Sequence, residues 1–257
     1  MTIPFALGLF NYSGPLAGAQ DFQKFHELAI SMLEERGVQA TYFASDGKGH
    51  SSNLAKLGNA AHRRLLACGF NELTLLSVVA VPKGSDAPAY DLTVSVDFLS
   101  SHELGTEFAL FSKDARFPLE PHSFRELLAG LIALYDWDFG YVTHPPFERS
   151  PQAYISGYCD GTQPQDEEDR NQIWYDAPPE VRLRRARNIF PLSLLNPAQL
   201  GAPVAPGKTL AEILQGTPGC ALEELVPGRL WLSTVEPHLV QGLRSLLKGT
   251  GALIEGG

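Results

Sequence analysis

Two aspartates flank a tryptophan in Asp136-Trp137-Asp138, and paired carboxyl groups are the usual equipment of glycoside hydrolysis. These two fall in the turn Asp136-Trp137-Asp138-Phe139-Gly140, between a helical pattern and a short strand pattern. Aspartates in such turns commonly accept backbone N–H groups, and that structural role is the preferred reading here. His144 and Glu148 stand four apart, a metal-ligand spacing on a helix, but Pro145 and Pro146 between them break the helix it needs. Gly207-Lys208-Thr209 ends as a phosphate-binding P-loop ends. Five residues rather than four separate Gly201 from Gly207, and Pro203 and Pro206 among them remove N–H donors that phosphate would require. A proline-rich surface loop is the expectation.

The remaining chemical candidates are no stronger. Ser156-Gly157 lacks the glycine that would open a nucleophile elbow. Cys159 beside Asp160 has no local histidine, and Cys68, Cys159 and Cys220 are too scattered for a disulfide framework or a zinc ribbon. Asp160, Asp166, Glu167, Glu168 and Asp169 could collect a hard cation, yet the EF-hand order of acids around a glycine is missing. Arg182, Arg184, Arg185 and Arg187 suggest phosphate contacts, but they follow closely on those acids and fit a charge-striped exposed helix. No catalytic residue, metal or cofactor is therefore expected.

The elements that must carry these residues follow from periodicity. The pattern PHSFRELLAGLIALYD, from Pro121, repeats apolar residues at helical spacing and leads into Tyr141-Val142-Thr143, a short strand. Helices are also predicted from Asp21, as a cap, to Arg36; over Leu54 to Cys68; over Pro178 to Arg187; over Leu210 to Leu214; and after Glu236-Pro237. Strands are predicted over Ile3 to Tyr12, Val38 to Phe43, Glu72 to Val81, Tyr90 to Leu99, Thr106 to Phe111, Ile189 to Leu195, Arg229 to Val235 and Ala252 to Ile254, with Ser45 to Asn53 as a polar loop. In the fourth of these, Leu92, Val94, Val96 and Phe98 alternate with Thr93, Ser95 and Asp97, which predicts one packed face and one wet face. A unit of helix, tight turn and short strand recurs three times, as FHELAISMLEERGVQATYF, FRELLAGLIALYDWDFGYVT and LVQGLRSLLKGTGALIE.

The expected fold is α+β: a largely antiparallel sheet with helices packed on one face, in two similar plait-like halves. One compact unit over residues 1–257 is preferred to a boundary within 144–178. The balance of 20 basic and 29 acidic residues gives a net charge of −9, which disfavours nucleic acid and anionic membrane and suits a basic protein partner. The start Met1-Thr2-Ile3-Pro4 shows no leader pattern, so the cytoplasm is the expected compartment.

A family resemblance enters in the C-terminal third. Arg187-Asn188-Ile189-Phe190-Pro191-Leu192-Ser193-Leu194-Leu195-Asn196 is followed by Leu200, Leu210 to Leu214, Pro227-Gly228-Arg229-Leu230-Trp231 and a terminal helix around Leu243 and Leu247. With the Trp137-to-Tyr141 turn, this order resembles immunity proteins of bacterial polymorphic-toxin and type VI secretion systems, in particular the family called immunity protein fifty-two. The resemblance implies a cytoplasmic α+β protein that neutralises a cognate toxin by binding it, without a reaction of its own. An acidic patch beside aromatic anchors would steer a basic toxin, and Asp160, Asp166, Glu167, Glu168 and Asp169 next to Trp174 and Tyr175 are the candidates. The competing readings are a hydrolase built on Asp136, Asp138, His144 and Glu148, and a structural subunit with a permanent partner. The oligomeric state is not legible.

Overall fold

Amphipathic helices laid on antiparallel strands make up the computed structural model, which describes residues 5–50, 53–81, 94–102, 105–112, 121–143, 151–157 and 165–255. Backbone proximity gathers the chain into two compact units: Met1–Ala6 with Gly14–Trp137, and Leu7–Ser13 with Asp138–Gly257. The fold is α+β and the sheet largely antiparallel.

Strand β1 (Phe5–Asn11) contributes Leu7 onwards to the second unit. The first unit continues with α1 (Ala19–Glu35), β2 (Tyr42–Gly47), β3 (Ala55–Lys56), α2 (Ala60–Ala67), β4 (Leu73–Ala80), β5 (Val94–Ser101), β6 (Gly105–Ser112) and α3 (Pro121–Leu134). Its strands lie in the order β6-β5-β4-β2-β3, each pair antiparallel. The apolar stripe of α1 lands as its spacing demands, with Phe22, Phe25, Ala29, Met32 and Leu33 buried. Phe98 of β5 receives two of these rings, Phe25 stacked at 5.2 Å between centres and Phe22 edge-on at 5.1 Å. The helix starts earlier than a cap at Asp21 would allow. Gly18 is the N-cap, and Asp21 reaches back to the Gly18 N–H at 3.0 Å.

Three other expectations shift. The helix expected over residues 54–68 is shorter, because Gly58 adopts a positive φ of 78° and Asn59 caps α2 by accepting the His62 N–H at 2.9 Å. The loop from Ser45 begins later, since β2 runs on to Gly47. The wet face of β5 is not wet: Ser95 and Asp97 are 8% and 5% exposed, so β5 is buried on both sides. Strands β4 and β6 pair with the edges of β5, and with its polar side covered as well, the polar side chains there must satisfy one another. Ser95 Oγ donates to Asp97 at 2.9 Å, and Ser77 stands opposite Asp97 on β4.

The second unit adds β7 (Phe139–Thr143), α4 (Pro151–Ser156), α5 (Gln165–Asp176), α6 (Pro179–Arg184), β8 (Leu192–Leu195), α7 (Pro197–Leu200), β9 (Pro203–Ala205), β10 (Lys208–Thr209), α8 (Leu210–Gly216), β11 (Cys220–Val226), β12 (Leu230–Val235) and α9 (Pro237–Leu247). Its strand order is β11-β12-β8-β7-β1. Leu210, Leu214, Leu243, Leu247 and Leu253 fill its core with Ile189 and Leu195. Strand β11 has no counterpart among the sequence-based expectations, and residues 252–254 make a single bridge from Leu253 to Ala186 rather than a strand. The expected proline-rich loop folds into the small β9–β10 hairpin, and Thr209 caps α8 in a reciprocal box with Glu212. Lys208-Thr209 thus serves a helix start.

Candidate functional site

The Asp136–Asp138 pair has a structural occupation. Asp138 sits at the entry to β7, where its Oδ2 accepts the N–H groups of Tyr12 at 2.6 Å and Ser13 at 2.9 Å. Its Oδ1 accepts the Ser13 hydroxyl at 2.5 Å, and its own N–H donates to the Phe10 carbonyl at 2.8 Å. The carboxylate therefore closes the end of the β1–β7 pair. Three donors occupy its oxygens. Asp136 is exposed, while Trp137 is buried and donates its indole N–H to the Leu131 carbonyl at 2.7 Å. Gly140 is needed because β1 passes close: a Cβ there would lie 2.6 Å from the Gly8 carbonyl oxygen.

The acidic and aromatic stretch divides into parts with different fates. Asp160, His144, Glu148 and Cys159 lie outside the described residues. Gln165–Asp176 forms α5, so Asp166, Glu167, Glu168 and Asp169 occupy its opening turns, where negative charge complements the helix dipole. Asp169 is exposed and Tyr175 half-buried. Trp174 is a correction to the surface-anchor reading: it is 1% exposed and packs inward, edge-on to Phe10 at 5.2 Å. An indole is the largest apolar payload on an otherwise polar helix, so burying it is what attaches α5 to its unit.

The arginine cluster is likewise split. Arg182, expected on an exposed striped helix, is 5% exposed and donates to the carbonyls of Ala177 at 2.8 Å and Tyr175, and to the Tyr12 hydroxyl at 2.9 Å. Arg187 lies 4.2 Å from the Trp174 ring centre, 4.9 Å from that of Tyr154 and 5.0 Å from that of Tyr141. Its guanidinium donates to the carbonyls of Tyr154 at 2.7 Å and Ile155 at 2.9 Å, to Asn171 Oδ1 and to the Tyr141 hydroxyl. The planar five-donor fork, stacked among rings, binds α4, α5 and β7 together. Arg184 and Arg185 remain exposed. No spacing in the sequence separates the buried Arg182 and half-buried Arg187 from the exposed pair.

The first unit holds titratable groups that periodicity does not single out. Burial pushes the Asp97 carboxyl up to about 6, against the opposing pull of hydrogen bonds from Ser77 and Ser95. His26 and His62 meet Nε2 to Nε2 at 3.0 Å, and His62 Nδ1 accepts the Gly58 N–H at 3.1 Å. That acceptor role puts the His62 proton on Nε2, so the His26 Nε2 receives it and both rings are neutral. Desolvation, then the neighbouring His62, lowers His26 to about 4, and desolvation lowers His62. Among the described residues no three His, Cys, Asp or Glu side chains gather as metal ligands, and no helix is long and apolar enough to cross a membrane.

Comparison with known proteins adds a likeness of fold. No protein-family model matches the chain, and no curated protein does. The solved Pseudomonas aeruginosa T6SS protein PA0821 aligns over 98% of this chain and 76% of its own, with a TM-score of 0.58 and 13% identity. At that identity the likeness speaks to architecture. The structure of the toxic C-terminal tip of CdiA from Pseudomonas aeruginosa in complex with immune protein aligns over 58% of this chain and 90% of its own at 16% identity. Its TM-score of 0.30 is too low for a common fold.

Proposed function

We propose that this chain is a non-enzymatic immunity protein that binds and neutralises a cognate bacterial toxin in the cytoplasm. The observation that carries the reading is the fold held in common, over 98% of the chain, with a protein named for the type VI secretion system. The sequence resemblance to immunity proteins of the same systems points the same way. Asp138, and Arg182 and Arg187 of the arginine cluster, have structural employment that accounts for them.

The toxin-facing surface on this reading is the acidic opening of α5, with Asp166, Glu167, Glu168, Asp169 and the half-buried Tyr175, joined by Asp160 in sequence. A helix pinned from beneath by Trp174 carries its acidic positions on a fixed backbone, which keeps the ordering cost of binding low. Such a patch accelerates encounter with a basic partner and loses that advantage in salt. Coexpression with the product of the adjacent gene tests the function. Growth rescue and a complex on a sizing column are expected. No rescue and no complex would overturn the immunity reading. Reversing the four α5 acids to lysine should slow association, while neutralising them to Asn and Gln should slow it less and cost less of the stability that acids give a helix start; unchanged association in both would move the interface elsewhere.

A further inference from the structure

A concavity of about 630 Å³ opens in the first unit between the end of β2 and the segment that follows α2. Its apolar lining comes from the half-buried Ala55 and Ala61, with the buried Phe43 and Leu65 beneath. Lys48 and Arg64 stand at its lining, and neither head group has a hydrogen-bond or ion-pair partner among the described residues. Clefts of this size with an apolar base and a few convergent polar groups are what small molecules occupy.

The segment that brings Asn71 and Glu72 to the lining is held in an unfavourable backbone shape. Phe70 and Glu72 both adopt left-handed φ values, 61° and 59°, although neither is glycine. Gly47 has φ 135°, and a Cβ there would lie 2.0 Å from the Glu72 carbonyl oxygen. The same close approach brings the Lys48 N–H to the Glu72 carbonyl at 3.1 Å, and the His50 Nε2–H donates to the Asn71 carbonyl at 3.0 Å. The two walls are therefore fastened to each other before any ligand arrives. Strain kept in place by surrounding bonds is commonly found where a site is shaped for use.

The geometry points to a binding site for a small molecule with a flat apolar body and an anionic head, a carboxylate or a phosphate. Ala55 and Ala61, backed by Phe43 and Leu65, receive the body, and Lys48 and Arg64 receive the head. Glu72 also lines the space and opposes the anion, but two cations against one carboxylate leave the site net positive in a chain of net charge −9. The site does not depend on the immunity reading, since it needs no protein partner.

The test uses the purified full chain with phenyl phosphate and benzoate as probes and benzyl alcohol as the uncharged control, by calorimetry and thermal shift. Both anions should bind saturably, more weakly in high salt, with the alcohol about tenfold weaker or worse. Lys48→Gln with Arg64→Gln should weaken the anions by about tenfold or more, while Glu72→Gln should tighten them. Lys48 and Arg64 are exposed, so unliganded melting should not change. Absence of saturable anion binding, equal binding of the alcohol, or full affinity in the double variant would each overturn the assignment.

Discussion

Replacing Asp97 with asparagine should make the protein more stable at neutral pH, by an amount set by the burial of that carboxyl. Asp97 is 5% exposed, and its folded-state value of about 6 stands above an ordinary 3.8. Between those values the folded chain holds a proton that the unfolded chain has released, so stability falls as pH rises through that window. At about 1.36 kcal/mol per pH unit, the ionised form costs roughly 3 kcal/mol by neutral pH. The amide of the Asp97→Asn variant is nearly isosteric and uncharged, and the Ser95 and Ser77 hydroxyls can turn to donate to its oxygen or accept from its nitrogen. His26 works with the opposite sign. Lowered from 6.5 to about 4, it gives the unfolded chain the extra proton, so stability rises with pH across that interval. The Asp97 slope opposes that of His26 between pH 4 and 6, and His62, also lowered, adds to His26, so the wild-type profile should rise less steeply there than that of the variant. Urea unfolding of wild type and Asp97→Asn from about pH 4 to 8 separates them. The curves should meet near pH 4 and diverge to about 3 kcal/mol by about pH 7, with the variant rising more steeply between. A variant less stable than wild type at neutral pH, or a gap that does not change with pH, would refute the reasoning.

Two further substitutions probe the second unit. Gly140→Ala places a methyl group 2.6 Å from the Gly8 carbonyl oxygen and from Leu9 Cδ2, and backbone cannot move aside cheaply; a loss of about 2–3 kcal/mol in urea unfolding is expected, and one below about 0.5 would discount the close approach. Arg187→Lys keeps the charge but not the fork that serves Tyr154, Ile155 and Asn171, so it should lose about 2–4 kcal/mol, whereas exposed Arg184→Lys should be near neutral; equal effects on melting would count against the fork.

What the sequence discloses and withholds follows from what periodicity can encode. The stripe from Phe22 to Leu33 and the alternation of Val94, Val96 and Phe98 specify which side is apolar, and those sides are buried. Alternation says nothing about what covers the polar side, which is why the burial of Asp97 is invisible in it. Strand β11 carries CALEELV, whose adjacent Glu223 and Glu224 break the two-residue period, and only pairing with β12 reveals it. Arg182 and Arg187 look like Arg184 and Arg185 on paper, because burial of a guanidinium depends on rings and carbonyls distant in sequence. The concavity is half legible: Ser45 to Asn53 stands out as a polar loop, and Gly69, at φ 65°, marks the end of α2 on the other side, but the left-handed Phe70 and Glu72 that follow are ordinary L-residues and nothing in their identity announces the bend.

The split membership of the N-terminal strand has a consequence for biosynthesis. Leu7–Ser13 belongs with residues from Asp138 onward, and Tyr12 meets its acceptor 126 positions later. At about 5–20 residues per second, the ribosome takes on the order of ten seconds to deliver that mate. Throughout the interval Leu7, Leu9 and Phe10, all fully enclosed in the finished molecule, await their neighbours. Chaperone engagement should concentrate on nascent chains of this length, and a fragment begun at Asp138 would be born without the strand its carboxylate fastens.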